Sequence, residues 1–163
     1  MIVIGYQGIG KSTLAGRDNK FIDLESGNFW IDGKRADDWY KPYCKIAEHL
    51  SQQGYIVFTS SHEVVRKQLE NSSEIVIAVY PSLELKDKWI DKLEKRYEKS
   101  GLEKDYKALM NAKDRYEENI IEIDEFCKDS MYRLVLTGMD YDLESALIHS
   151  KNTIDKLLWS EEV

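Results

Sequence analysis

The first twelve residues constrain the fold more than any others. Ile2, Val3 and Ile4 form a β-branched apolar run, which predicts a strand buried on both faces. The run leads directly into Gly5-Tyr6-Gln7-Gly8-Ile9-Gly10-Lys11-Ser12. This octet matches the spacing G-x-x-x-x-G-K-[ST]. A strand that ends in such a turn and restarts as a helix opens a parallel α/β unit.

The residue types follow from the chemistry of a phosphate chain. Glycines let the backbone curl until successive N–H groups point inward at an anion. Gly8 and Gly10 are assigned to that cradle, and Lys11 to the β- and γ-phosphates. The Ser12 hydroxyl is assigned to Mg²⁺ and Thr13 to the α-phosphate. The alternative is a glycine-rich turn with no ligand. The strand before the loop and the helix after it favour ATP with Mg²⁺.

The rest of the chain repeats the alternation. Strands are predicted at 2–4, 21–24, 55–59, 75–80 and 132–136, and helices from the loop to about 16 and at 38–53, 62–70, 83–99, 104–128 and 142–158. The stripes are Tyr43, Ile46, Ala47 and Leu50; Leu85, Trp89 and Leu93; and Leu109, Ala112, Tyr116, Ile120 and Ile123. The expected fold is a three-layer P-loop NTPase fold with an about five-stranded parallel sheet, helices on both faces and a helical lid. Right-handed crossovers put the first strand near the middle, with ligands at the carboxyl ends of the strands. The 163 residues contain two prolines, no linker and no repeat, so one domain over 1–163 is expected.

Composition narrows the partners. The formal net charge is −7, which argues against nucleic acid and anionic membrane. Only residues 84–107, with eight basic and seven acidic side chains, are not net acidic. Cys44 and Cys127 lie far apart and form no metal-type cluster, so they read as buried thiols of a reducing compartment. No run of 18 apolar residues occurs, and the opening has no basic leader. A cytoplasmic protein with no membrane span is expected. Oligomeric state is not legible.

Read this far, the chain resembles the small P-loop kinases, meaning the nucleoside monophosphate kinases and the shikimate kinase group. Beyond the loop, the resemblance rests on three segments. Phe21-Ile22-Asp23-Leu24-Glu25 looks like the D-x-D element after the second strand. Val79-Tyr80-Pro81-Ser82-Leu83-Glu84 is similar to the turn that precedes the lid. The Lys/Arg-rich segment after it stands where the family has a mobile lid, here about 95–108. Departures exist: Thr59-Ser60-Ser61-His62 replaces the glycine cluster of shikimate kinases, which argues against shikimate as acceptor. No arginine–proline element is recognisable near Arg115, and no strand ends in the aspartate of a standard Walker B motif.

The resemblance implies roles for further residues. Asp23 would hold hydrated Mg²⁺ or take the proton of the attacking group, and Glu25 would orient the acceptor. Arg96, and on the same logic Arg115, would neutralise charge on the moving phosphoryl group. Arg35 and Arg66 would grip an anionic acceptor. Solvated salt bridges are the other reading of all four arginines. His62 stands at the same crevice as an acceptor contact or a helix cap. Phe29, Trp30, Trp39 and Tyr40 stack on a base or simply pack a short insert. The turn Thr137-Gly138-Met139-Asp140 would lie against the nucleobase through its backbone. The expected activity is phosphoryl transfer from ATP to a small acceptor, a nucleoside or deoxynucleoside monophosphate first. The rivals are a nucleotide-binding module or slow ATPase acting through a partner protein and, more remotely, an ATPase acting on DNA or RNA.

Overall fold

The computed structural model describes residues 1–160. The elements, in order, are β1 (Ile2–Gly5), α1 (Lys11–Arg17), β2 (Phe21–Asp23), α2 (Tyr40–Gln52), β3 (Ile56–Thr59), α3 (Glu63–Leu69), β4 (Val76–Pro81), α4 (Lys86–Ser100), α5 (Glu103–Ser130), β5 (Tyr132–Leu136) and α6 (Leu143–Ser160). The five strands form one sheet in the order β2-β3-β1-β4-β5, and every pairing is parallel. β1 is therefore the centre, with Ile2 opposite Val57 on one side and Val76 on the other.

Every residue of β1, β3 and β4 is buried. Successive strand residues point to opposite faces, so both faces of these strands are covered and the domain has three layers. α2 packs on β3 and β1, and α5 on β4 and β5. The three stripes read from the sequence supply the core contacts of α2, α4 and α5, with Tyr43, Ala47, Trp89, Leu93, Tyr116 and Ile120 all buried. Ile46 differs: it is exposed on α2. Its neighbours Tyr43 and Ala47 already occupy the inward face.

Two further local features depart from the sequence reading. The predicted 83–99 helix begins as a separate 3-10 turn, Leu83–Leu85, before α4 starts at Lys86; such tightening is common at helix starts. α5 is bent at Arg115, whose φ of −137° and ψ of 21° leave the helical range. No proline or glycine lies nearby to announce the bend.

Cys44 and Cys127 are both buried and free. Burial pushes the Cys44 thiol up to about 12 and Cys127 up to about 11, so neither is a nucleophile near neutral pH. Among the described residues no helix is long and apolar enough to cross a membrane.

α4 and α5 pack side by side as a hairpin turned at Gly101. This hairpin covers the end of the sheet that carries the 5–12 loop. Gln7 Nε2 donates to Ala108 O at 2.9 Å and to Asn111 Oδ1 at 3.1 Å, both on α5. Trp89 Nε1, on α4, donates to Gln7 O at 2.9 Å.

Candidate functional site

The carboxyl ends of β1, β2 and β3 open into one cleft of about 910 Å³, bounded across its mouth by the α4–α5 hairpin. That volume suits a small-molecule site. Its wall carries eight basic side chains, namely Lys11, Arg35, Arg66, Lys92, Arg96, Lys104, Lys107 and Arg115, against four acidic ones, Asp23, Glu25, Glu63 and Glu122. A chain of net charge −7 thus gathers positive charge in this cleft, which suits an anionic ligand.

The loop that floors the cleft is shaped by its glycines. Gly8 has φ +86° and Gly10 has φ +109°, values that favour a residue without Cβ. At Gly8 space is also limiting: a Cβ would sit 2.9 Å from Leu93 Cδ2 and 3.0 Å from Trp89 Nε1. Neither the Gly8 nor the Gly10 amide donates to a protein acceptor among the described residues, although both residues line the cleft. Lys11 Nζ donates to Gly5 O at 2.8 Å. Burial pushes its ammonium below the ordinary lysine value, while Asp23 and Glu25 hold it up.

Ser12 Oγ donates to Asp23 Oδ2 at 2.7 Å. Ser12 lies in the first turn of α1 and Asp23 ends β2, so two separate elements bring these hard oxygen donors together beside Lys11. Among the described residues no group of three or more His, Cys, Asp or Glu side chains could hold a metal ion. The Ser12–Asp23 pair fits instead an ion bound by one or two protein oxygens together with phosphate oxygens and water, the habit of Mg²⁺. Thr13, next on α1, is exposed and lines the same wall.

The acceptor-side residues converge on the same cleft. Arg66 is only 5% exposed. Its Nη1 donates to Ser61 O at 2.8 Å, its Nη2 lies 3.9 Å from Glu122 Oε2, and its Nε is buried without a partner. Arg35 lies over the ring of Trp39 at 3.8 Å and near that of Trp30 at 5.0 Å. Of the four aromatics between β2 and α2, Trp39 is buried, and Phe29 packs on Trp39 and Tyr43. Tyr40 meets Trp39 edge-on. Trp30 alone lines the cleft, 55% exposed. His62 Nδ1 lies 2.8 Å from Ser60 Oγ. Desolvation in the cleft wall, then the cations Arg35, Lys11 and Arg66, push its imidazole below the ordinary value.

Arg96, Arg115 and Glu25 also line the cleft, and each is engaged by another side chain. Arg96 Nη2 lies 2.5 Å from Oδ1 of Asp105, a carboxylate buried inside the hairpin. Arg115 pairs with Glu118 at 2.8 Å and Glu122 at 3.6 Å. Glu25 meets Lys104 at 3.2 Å, joining the β2 end to the start of α5. The 137–140 turn does not reach the cleft wall.

Sequence reasoning passed over Lys92, Trp89 and Tyr141. Lys92 Nζ lies 4.5 Å from the Trp89 ring centre and 5.1 Å from that of Tyr141, and it donates to Tyr141 Oη at 2.9 Å. The two rings stack 6.3 Å apart at 12°, and Tyr141 Oη donates to Ile9 O at 2.8 Å. Trp89 was legible only as a core position, and Lys92 only as one of the eight basic side chains of 84–107.

No protein-family model and no curated sequence matches this chain. Among solved structures, one of an uncharacterized protein from Eubacterium ventriosum is similar, with 14% sequence identity, a TM-score of 0.46, and coverage of 95% of this chain and 97% of that one.

Proposed function

We propose that the protein binds a nucleoside triphosphate with Mg²⁺ in this cleft and transfers a phosphoryl group to a small acceptor. The observation that carries the reading is the Ser12–Asp23 contact of 2.7 Å, at the mouth of a loop whose lysine and glycines fit a phosphate chain. ATP is the expected donor. The free amides of Gly8 and Gly10 and the Lys11 ammonium would hold its phosphates. Ser12 and Asp23 would hold Mg²⁺, which supplies charge neutralisation at the phosphate oxygens.

Catalysis is then positioning and electrostatics. The hairpin restricts solvent above the loop. Asp23 lines the cleft beside Ser12, so it would suit proton acceptance as well as ligation. A monophosphate acceptor fits the other end of the cleft: Arg66 offers an unpaired buried N–H, Arg35 a stacked guanidinium, and Trp30 an exposed ring for a base. A nucleoside or deoxynucleoside monophosphate combines those features.

A second reading has its own support. Arg96 and Arg115 are held by Asp105, Glu118 and Glu122, which suits a nucleotide-binding module or slow ATPase completed by a partner protein. Transfer of radiolabelled γ-phosphate from ATP to a panel of nucleosides, monophosphates and small hydroxylated metabolites separates the two. Labelled product in one acceptor class supports the kinase. Binding of ATP with no labelled acceptor, and only slow release of phosphate, supports the module.

A further inference from the structure

Each cation of the cleft wall has a companion, and the kind of companion differs. Arg66, Arg96, Lys104, Lys107 and Arg115 all lie within ion-pair distance of a carboxylate. Lys92 has no carboxylate at that distance among the described residues. It is half-buried on α4, over two aromatic faces, with a tyrosine oxygen as hydrogen-bond acceptor. Aromatic faces attract a cation without cancelling its charge, so this ammonium keeps its capacity for an anion.

The rings beneath it act on the loop itself. Across a trans peptide, a carbonyl and the following N–H point in opposite directions. Trp89 Nε1 takes the Gln7 carbonyl and Tyr141 Oη takes the Ile9 carbonyl. The amides that follow belong to Gly8 and Gly10, neither of which has a protein acceptor among the described residues. The stacked pair therefore pulls alternate carbonyls outward and turns the intervening amides away from itself. The same two side chains carry Lys92, which lines the cleft with these glycines and Lys11.

We propose that Lys92 is a second phosphate-binding lysine of this site, and that Trp89 and Tyr141 are positioning residues that set both its ammonium and the peptide planes of the 5–12 loop. The ligand class is a polyphosphate chain, long enough to engage Lys11 and Lys92 together. The inference rests on the phosphate reading of the loop.

The test is calorimetric titration of ATP, ADP and AMP, each with Mg²⁺, into wild type and the variants Lys92→Met, Lys92→Arg, Tyr141→Phe and Trp89→Phe. Lys92→Met keeps the stem and removes the charge. It should weaken ATP about 10–100-fold, the range of a hydrogen bond to a charged group, and AMP by less than about threefold. Lys92→Arg should restore ATP to within about threefold of wild type. Tyr141→Phe and Trp89→Phe, each losing one anchor of the loop, should weaken ATP about tenfold. A purely structural role would not be rescued by arginine, so rescue in Lys92→Arg, read beside the ATP-to-AMP ratio, is the decisive readout. The thermal midpoint without ligand checks folding. An ATP affinity unchanged in Lys92→Met, or an equal loss for ATP and AMP, overturns the proposal. If wild type binds none of the three, the phosphate reading itself fails and takes this proposal with it. If Trp89→Phe does not fold, Tyr141→Phe and the two lysine variants still decide the outcome.

Discussion

Lys11 occupies a desolvated position that holds its ammonium below the ordinary value, an expensive place for a charge unless an anion meets it. Lys11→Ala should therefore lower ATP·Mg²⁺ affinity at least about 100-fold while leaving the thermal midpoint without ligand near wild type or above it; calorimetry and a melting curve read the two effects. Asp23 sits at a strand end outside the core, so Asp23→Asn should keep the fold, hold ATP affinity within about threefold and cut turnover on the order of 100-fold, measured as steady-state transfer. His62 gives a pH signature. Its folded pKa lies below 6.5, so as pH falls from 6.5 towards the folded value only the unfolded chain takes the proton, and stability declines. A bound polyanion reverses the local field and raises that pKa, so ATP binding at pH 6 should take up protons. Titrations in two buffers of different ionisation enthalpy would show this, and His62→Gln should abolish it. At this scale the grouping of the residues was legible: Gly8, Gly10, Lys11, Ser12 and Thr13, together with Asp23, Glu25, Arg35, Arg66, Arg96 and Arg115, line one cleft. It was not legible where geometry sorts equivalent types. Nothing in the sequence separates exposed Trp30 from buried Trp39, or Lys92 on its rings from the solvated lysines one turn away.

Among the elements, the α4–α5 hairpin is where structure adds most to the sequence reading. A lid around 95–108 was expected, with Arg96 moving towards the transferring group. Arg96 sits at the cleft but pairs with buried Asp105, which Ser100 Oγ also contacts at 2.5 Å. To reach a phosphate, Arg96 must exchange one anion for another. Hydrogen exchange over 95–108 should slow when ATP·Mg²⁺ and the true acceptor are both present, more than with ATP alone. Arg96→Ala should lower turnover at least about tenfold with little change in ATP affinity. Exchange already slow without ligand, with a kinetically silent Arg96→Ala, would make the hairpin a fixed wall. Element types and order followed from periodicity, because a parallel core strand and an amphipathic helix each leave a distinct apolar pattern. The bend at Arg115 left none, since it arises within a run of ordinary helix formers.

For the molecule as a whole, charge separation governs how ligands approach. The chain is net negative while its cleft wall is net positive, and the exposed Glu25–Lys104 pair at 3.2 Å spans the two banks of the mouth. Attraction of a polyanion by exposed charges is screened over about 10 Å at 0.1 M salt. ATP association should therefore slow as salt rises from 20 to 300 mM, with a smaller effect on dissociation; stopped-flow mixing provides the measurement. The central place of β1 has a separate consequence, felt during synthesis. Ile2 pairs with Val57 and Val76, so this apolar strand leaves the ribosome before both partners, which follow roughly 55 and 75 residues later. At about 5–20 residues per second, its edges stay bare for on the order of 3–15 s. Nascent chains halted before residue 76 should accordingly be captured by chaperones or aggregate, whereas chains released after β4 and its covering helices have emerged should not.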